Sequence, residues 1–510
     1  MFEAAGCEAL AAQVAEVADL LGAMALLGWD SQVNMPEGGA AARGRQEATL
    51  KRLVQARLVS PEFAAALADA ERVNGDERHE RALAALREAR AYFTQMPVAL
   101  LNEESEIVAA STQAWRRAKQ AKDFRLFAPY LRKIVDLKRR FAETIGYEVH
   151  PYDALLSTYE PGARSADLQV MFEEIKARLV PLAKRVHAAP KPDTAFIYQH
   201  YDVAVQRTVA TMFAKAVGYD FDRGRLDEAP HPFAQGVARG DWRITTRFDA
   251  NDLDFALFST LHECGHAMYE QNIDPALEFT PLGMDLPNFL ISGGISSGVH
   301  ESQSRLWENR VGRSLPFWQR YYATLQAAFP TQLGEIDLAT FYRAINCSAP
   351  SLVRVSADEL TYDLHIMLRT EAEIALLDGS LDVDDLPAYW GAQMQAYLGV
   401  QPAHDAEGVL QDIHWSIGLF GYFPTYTLGN VMASQLFDAA MRDAEVARTA
   451  NTGEYGPLLA WLGQHVHGPA RTYRAAEMLQ RATGGAFSVE PYLDYMTRKF
   501  SGLYGVEASN

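Results

Sequence analysis

Residues 261–270 read LHECGHAMYE, and His262-Glu263-Cys264-Gly265-His266 is an HExxH motif. On an α-helix, His262 and His266 sit one turn apart and about 40° apart around the axis, so both imidazoles can reach one metal ion. Glu263 stands about 60° round from His266, where its carboxylate flanks the metal and can take a proton from an attacking water. The competing reading is a structural helix with two hydrogen-bonded histidines. Cys264 points away from the metal side and reads as a small buried residue. Gly265 costs about 1 kcal/mol of helix propensity, which close approach by a substrate or a second helix would offset.

A hydrolytic zinc site takes three protein ligands and keeps one position open. The HExxHxxGxxH extension is absent, with Tyr269 and Asn272 at the positions it would occupy. The third donor is therefore expected to be a carboxylate from another helix. Glu270 lies a full turn beyond His266, too far for this metal, and reads as a surface or supporting residue. Glu301, in the helical stretch 298–308 behind a Gly/Ser-rich turn, is the leading candidate. Glu308, two turns on along the same face, is the alternative. His300 points about 100° away from Glu301 and is assigned to packing or support.

Upstream of the motif, Asp249 or Asn251 could cap the helix, and Phe255, Phe258 and Leu261 supply its apolar positions. The clearest strand candidate is Arg243-Ile-Thr-Thr-Arg-Phe248, which alternates and is rich in β-formers. Elsewhere helical periodicity dominates: 2–27, 38–72, 76–95, 99–121 and 126–145 carry apolar residues at three- and four-residue steps. These stretches predict an N-terminal helical lobe over about 1–145, with a body carrying the HExxH helix over about 146–510, in one unit. Breaks at 291–298 and 418–424 interrupt the later helices.

The chain has 510 residues, a hydrophobic content of 48 % and a net charge of -18, from 47 Lys+Arg against 65 Asp+Glu. That acidic balance argues against nucleic acid or an anionic membrane as partner. Cys7, Cys264 and Cys347 are too few and too scattered for a disulfide framework, which points to a reducing, cytoplasmic setting. The N-terminus is acidic where a signal peptide is basic, and its apolar run Leu20–Trp29 is short of the ~20 residues of a membrane span. It reads as an amphipathic helix.

Several motifs occur in order along the chain: His231-Pro232-Phe233, Asp241-Trp-Arg243-Ile-Thr245, His262–His266, His300-Glu301-Ser302-Gln303, Arg354-Val-Ser-Ala357-Asp358 and Gly421–Asn430. Trp29-Asp30 with Met35-Pro36, and Tyr152–Leu156, precede them. Together they resemble the thermostable, Taq-type metallocarboxypeptidases over nearly the whole length. The resemblance implies a mainly α-helical, zincin-like fold with a deep groove, a small β-sheet beside the site and a homodimer. It implies broad-specificity removal of C-terminal residues from peptides, with zinc or sometimes cobalt. By motif matching, His262, His266 and Glu301 would hold the metal, Glu263 would be the general base, and Arg354 would hold the substrate's terminal carboxylate. The segment from Phe289 to Ser297 is longer and richer in glycine than this pattern, which could alter the cleft wall or the register of Glu301.

A guanidinium suits that carboxylate because its planar fork binds both oxygens, and Arg243 and Arg369 rival Arg354 for the task. The oxyanion needs donors, and Tyr422, Tyr426 and His414 lie in an aromatic, glycine-broken stretch suited to a cleft. His231, held extended by Pro232, is assigned to lining the groove or to supporting the residues that do, and Asp358 and His365 are further candidates. Two other readings stand: an endo-oligopeptidase or dipeptidase on a related fold, and an inactive helical scaffold, against which the intact Glu263 speaks.

Overall fold

The computed structural model describes residues 6–507. The chain divides into two compact units, each built from three segments. The first takes Met1–Thr94, Asp193–Ile345 and Leu436–Phe487; the second takes Gln95–Pro192, Asn346–Gln435 and Ser488–Asn510. The helical stretch 1–145 thus contributes to both units, because the chain passes from one to the other at Thr94–Gln95.

In chain order the first helices are α1 (Glu8–Val33), α2 (Ala40–Val59), α3 (Pro61–Ala70) and α4 (Glu77–Gln95). Leu10, Val14, Val17 and Leu21 of α1 recur at three- and four-residue steps and are buried, together with Leu58, Phe63 and Leu86 from the next three helices. By length and composition α1 could cross a membrane, at mean hydropathy 1.6. In the fold it packs on α2 and α3. Ser60 caps α3 by accepting from the Phe63 amide, and Pro61 opens the helix where no amide is needed.

Helices α5 (Val98–Ala121), α6 (Ala128–Ile145), α7 (Pro151–Leu156) and α8 (Ser165–Ala188) begin the second unit. The helix Tyr362–Asp378 runs through its interior, with Leu364, Ile366, Leu368 and Leu376 buried around the helix. Such all-round burial suits a central helix.

The first unit resumes with α9 (Val203–Val217) and a three-stranded sheet of β1 (Leu226–Glu228), β2 (Ala234–Ala238) and β3 (Asp241–Thr246). β3 is central, parallel to β1 and antiparallel to β2, with Ile244 opposite both Leu226 and Ala234. The expected strand 243–248 is therefore present, shifted two residues toward the N-terminus. It leads into α10 (Leu253–Gln271), which packs on β3, α9 and α11 (Ser297–Arg305). The α10 cap is Asp252, which accepts from the Asp254 and Phe255 amides, in place of the expected Asp249 or Asn251. Asp249 instead turns the chain just before it, accepting from the Asn251 amide.

Candidate metal centre

Helices α10 and α11 touch backbone to backbone at Gly265. A Cβ there would stand 2.5 Å from both the Gln303 carbonyl oxygen and the Ser304 Cα. The helix-breaking residue inside the motif is thus the one that lets the second helix approach, as its propensity cost suggested. That contact brings Glu301 of α11 over the two motif histidines. Glu301 Oε2 lies 3.4 Å from His266 Nε2 and 3.8 Å from His262 Nε2. The three donor atoms all fall within 4.8 Å of one another.

The donor set fits a small divalent ion. Bonds of ~2.0–2.1 Å in a tetrahedral centre place donor atoms roughly 3.4 Å apart. Each histidine also has its other ring nitrogen tied off. His262 Nδ1 donates to Glu308 Oε2 at 2.9 Å, and His266 Nδ1 lies 2.6 Å from His300 Nδ1. His300 Nε2 in turn contacts Glu270 Oε1 at 2.9 Å. Glu270 is caged by the Gly293 amide (3.0 Å), the Gly294 amide (3.2 Å) and the Ser292 hydroxyl (2.7 Å). With Glu270 a pure acceptor, the consistent protonation puts N–H on His300 Nε2 and on His266 Nδ1, leaving both motif Nε2 lone pairs directed at one point.

Glu308, the alternative third ligand, is therefore the partner that orients His262. It stands in a π-helical stretch, Leu306–Gly312, that continues α11. Arg305 ties the two carboxylates together, donating to Glu301 at 2.7 Å and to Glu308 at 3.2 Å. Burial opposes ionisation of Glu301, but Arg305 and the two histidines hold its carboxyl far below the ordinary range. Burial likewise would depress His262, yet Glu301 and Glu308 outweigh it and raise its pKa. Burial wins at His266, which is lowered to about 4.

Glu263 is 6 % exposed and carries no hydrogen bond or ion pair among the described residues. Burial, with Glu301 and Glu308 beside it and His262 opposing, raises its pKa to about 7. Cys264 is fully buried, as expected.

Two other first-unit candidates stand apart from this cluster. Arg243 places Nε and one terminal nitrogen on Asp241, at 2.8 and 2.6 Å, beneath the Trp29 ring. Two of its three nitrogens are thus held by Asp241 within the same strand. His231 is exposed in the loop before β2.

Within the second unit a further group of candidates comes together. Arg354 donates to Asp412 Oδ1 through Nε (2.9 Å) and a terminal nitrogen (2.7 Å), and to the Tyr362 hydroxyl (3.0 Å). Arg369 takes the other oxygen of Asp412 at 2.6 Å. Two guanidinium groups against one carboxylate leave one surplus positive charge. Burial works against the Asp412 charge, but Arg369 and Arg354 hold its carboxyl well below the usual range. Asp412, not a sequence candidate, is the residue that fixes both arginines. His414 Nδ1 lies 3.9 Å from it, with the His414 ring 4.5 Å from Phe423 and stacked 6.0 Å from Tyr422. Tyr426 meets Tyr422 edge-on at 5.4 Å and lies 5.3 Å from the Arg354 guanidinium. Asp358 serves the backbone, accepting from the Ala349, Leu360 and Thr361 amides. His365 is buried, and its carbonyl accepts from Arg369.

Residues 9–500 match the family model described as carboxypeptidase Taq (M32) metallopeptidase. The chain is 41 % identical over 487 residues to carboxypeptidase 1 of Bacillus subtilis, covering 94 % of this chain and 95 % of that one. It is 39 % identical over 516 residues to thermostable carboxypeptidase 1 of Thermus thermophilus, covering 96 % and 97 %. The solved M32 carboxypeptidase of Deinococcus radiodurans superposes with a TM-score of 0.95 at 38 % identity, covering 99 % of this chain and all of that one.

Proposed function

This chain belongs to the Taq-type (M32) family of metallocarboxypeptidases, and on that footing we propose that it releases C-terminal amino acids from peptides with broad specificity. His262, His266 and Glu301 hold one divalent ion, zinc or cobalt. The observation that carries this reading is the convergence of His262 Nε2 and His266 Nε2 on Glu301 Oε2, at 3.8 and 3.4 Å. When bound, such an ion supplies Lewis acidity: it acidifies water and polarises a carbonyl oxygen.

Glu263 takes the proton of the attacking water and delivers it to the leaving amine. Its unbonded carboxylate among otherwise paired acids supports this assignment. Arg354 receives the substrate's terminal carboxylate, supported by the surplus positive charge of its cluster. Tyr422, Tyr426 and His414 are the donors proposed for the developing oxyanion. The reading extends to a homodimer in the cytoplasm, consistent with three free cysteines, and to peptide substrates without nucleic acid or membrane partners.

The test is a paired assay of peptides with a free C-terminal acid and the same peptides as C-terminal amides. Wild type should cleave the acids far faster. Arg354→Ala should lower kcat/KM on the acids by more than ~30-fold, with partial rescue in Arg354→Lys. Equal cleavage of amides and acids, or early release of internal fragments, would favour the endo-oligopeptidase reading.

A further inference from the structure

A cavity of about 270 Å³ lies within the first unit, between α1, the β2–β3 hairpin and the segment following α10. None of His262, Glu263, His266 and Glu301 lines it. At ~30 Å³ per water in the liquid, it has room for roughly nine or ten heavy atoms. Its walls are largely apolar, with Ala18 of α1, Trp242 of β3 and Phe279 among them.

The charged groups around it are few and mixed. Arg239 donates through Nε to the Ile273 carbonyl at 3.3 Å, and its terminal nitrogens bond nothing else among the described residues. The nearby Asp274 is already paired with Arg78 at 2.8 Å. Asp19 and Glu278 line the same cavity and enter no ion pair among the described residues. Glu270 also contributes to the lining, but its oxygens are spent on His300, Ser292, Gly293 and Gly294.

The backbone around the cavity is strained. Among the described residues four non-glycine residues have positive φ, and three of them, Phe279 (56°), Phe289 (56°) and Ala470 (48°), belong to this region. Phe279 lines the cavity, and Phe289 and Ala470 belong to the apolar cluster that holds its Ile273, Leu277 and Met284. Backbone held in sparsely populated conformations tends to gather at ligand sites.

We infer that this cavity binds a free apolar α-amino acid of the size of leucine, with the carboxylate on Arg239, the ammonium on Asp19 or Glu278, and the side chain against the apolar wall. A simple anion would face three carboxylates with one guanidinium to offset them. A simple cation would leave Arg239 beside a like charge. A zwitterion with an apolar body answers both. The family's own reaction releases molecules of this class, which is all the inference takes from the activity.

The experiment is calorimetric titration of L-leucine into the metal-loaded full chain, with leucinamide and N-acetyl-L-leucine as comparison ligands. Wild type should show saturable binding of L-leucine, weakened by at least ~10-fold in each comparison ligand, which lacks one of the two charges. Ala18→Phe, which fills the cavity, should remove that event. Arg239→Met, at a half-exposed position, should weaken it by at least ~10-fold. Binding of L-leucine at the catalytic cluster would instead survive both variants and disappear in Arg354→Ala. No saturable binding at millimolar leucine overturns the inference. So does binding unchanged in Arg239→Met, or N-acetyl-L-leucine binding as tightly as leucine.

Discussion

The Nδ1 atoms of His266 and His300 lie 2.6 Å apart, in a hydrogen bond that only one of the two rings can donate. Because Glu270 accepts from the far side of His300, the donor is His266. The proposed ligand is therefore set in its tautomer by a carboxylate on the far side of one intervening ring. His300→Leu should weaken metal binding by ~10–100-fold while leaving all three proposed donors in place. A competition titration against a metal chelator measures this, and unchanged affinity would show that the ring is packing only.

Glu263→Gln keeps the shape of the side chain and removes the base. Metal content should stay near one ion per chain while turnover falls by at least ~100-fold. Elemental analysis alongside single-turnover kinetics separates the two effects. Full turnover with normal metal content would mean that another group activates the water.

Gly265→Ala adds one methyl group against the backbone of α11. Neither Gln303 nor Ser304 can swing aside as a flexible side chain would, so the helices must separate. Destabilisation of about 1–3 kcal/mol is expected, with weaker metal binding because Glu301 moves away from the histidines. Thermal melts with and without added zinc report both effects. An unchanged melt would refute the close approach.

Burial, with Arg354 and Arg369 adding to it and Asp412 opposing, lowers His414 to about 4. His365 is pushed down in the same way, chiefly by burial. Both are neutral in the fold but take up a proton in the unfolded chain below about 6.5. Their contribution is present above that pH and is lost as pH falls toward 4. Glu373, raised by burial to about 7, acts oppositely and offsets roughly one of the two. Acidification from pH 7 to 5 should therefore cost the stability these histidines contribute, and His414→Asn should lessen the loss by up to about 2 kcal/mol. A variant as acid-sensitive as wild type would exclude His414 as the source.

Much of the site was legible because its chemistry is local. His262 and His266 announce themselves by helical spacing, and Glu301 by the turn that folds its helix back. Helix positions followed from apolar periodicity to within a few residues, apart from α1, which begins later and runs further, and 38–72, which breaks at Ser60 into α2 and α3. What stayed hidden depended on partners distant in sequence. Nothing near Arg243 marks two of its nitrogens as held, although Asp241 lies two residues away, because strand alternation is what places both on one face. Asp412 gains its role only by meeting Arg354 and Arg369, 58 and 43 residues off. Glu270 looked too far from the histidine pair, and its oxygens are bonded to His300, Ser292, Gly293 and Gly294. Its burial comes from the glycine-rich segment, whose amides enclose it. That segment leaves Glu301 in register with the histidines, at 3.4 and 3.8 Å.

The first unit closes with Leu436–Phe487, and from that segment His467 reaches Gln303 of α11 at 2.9 Å. During synthesis the donors at 262, 266 and 301 leave the ribosome long before residue 467 exists. A nascent chain therefore carries every proposed ligand while still lacking the contact that steadies the second helix. At the ordinary pace of ~5–20 residues per second, this interval lasts roughly ten seconds or more. Over that interval the three proposed donors are held only by contacts made earlier in the chain, without the His467–Gln303 bond.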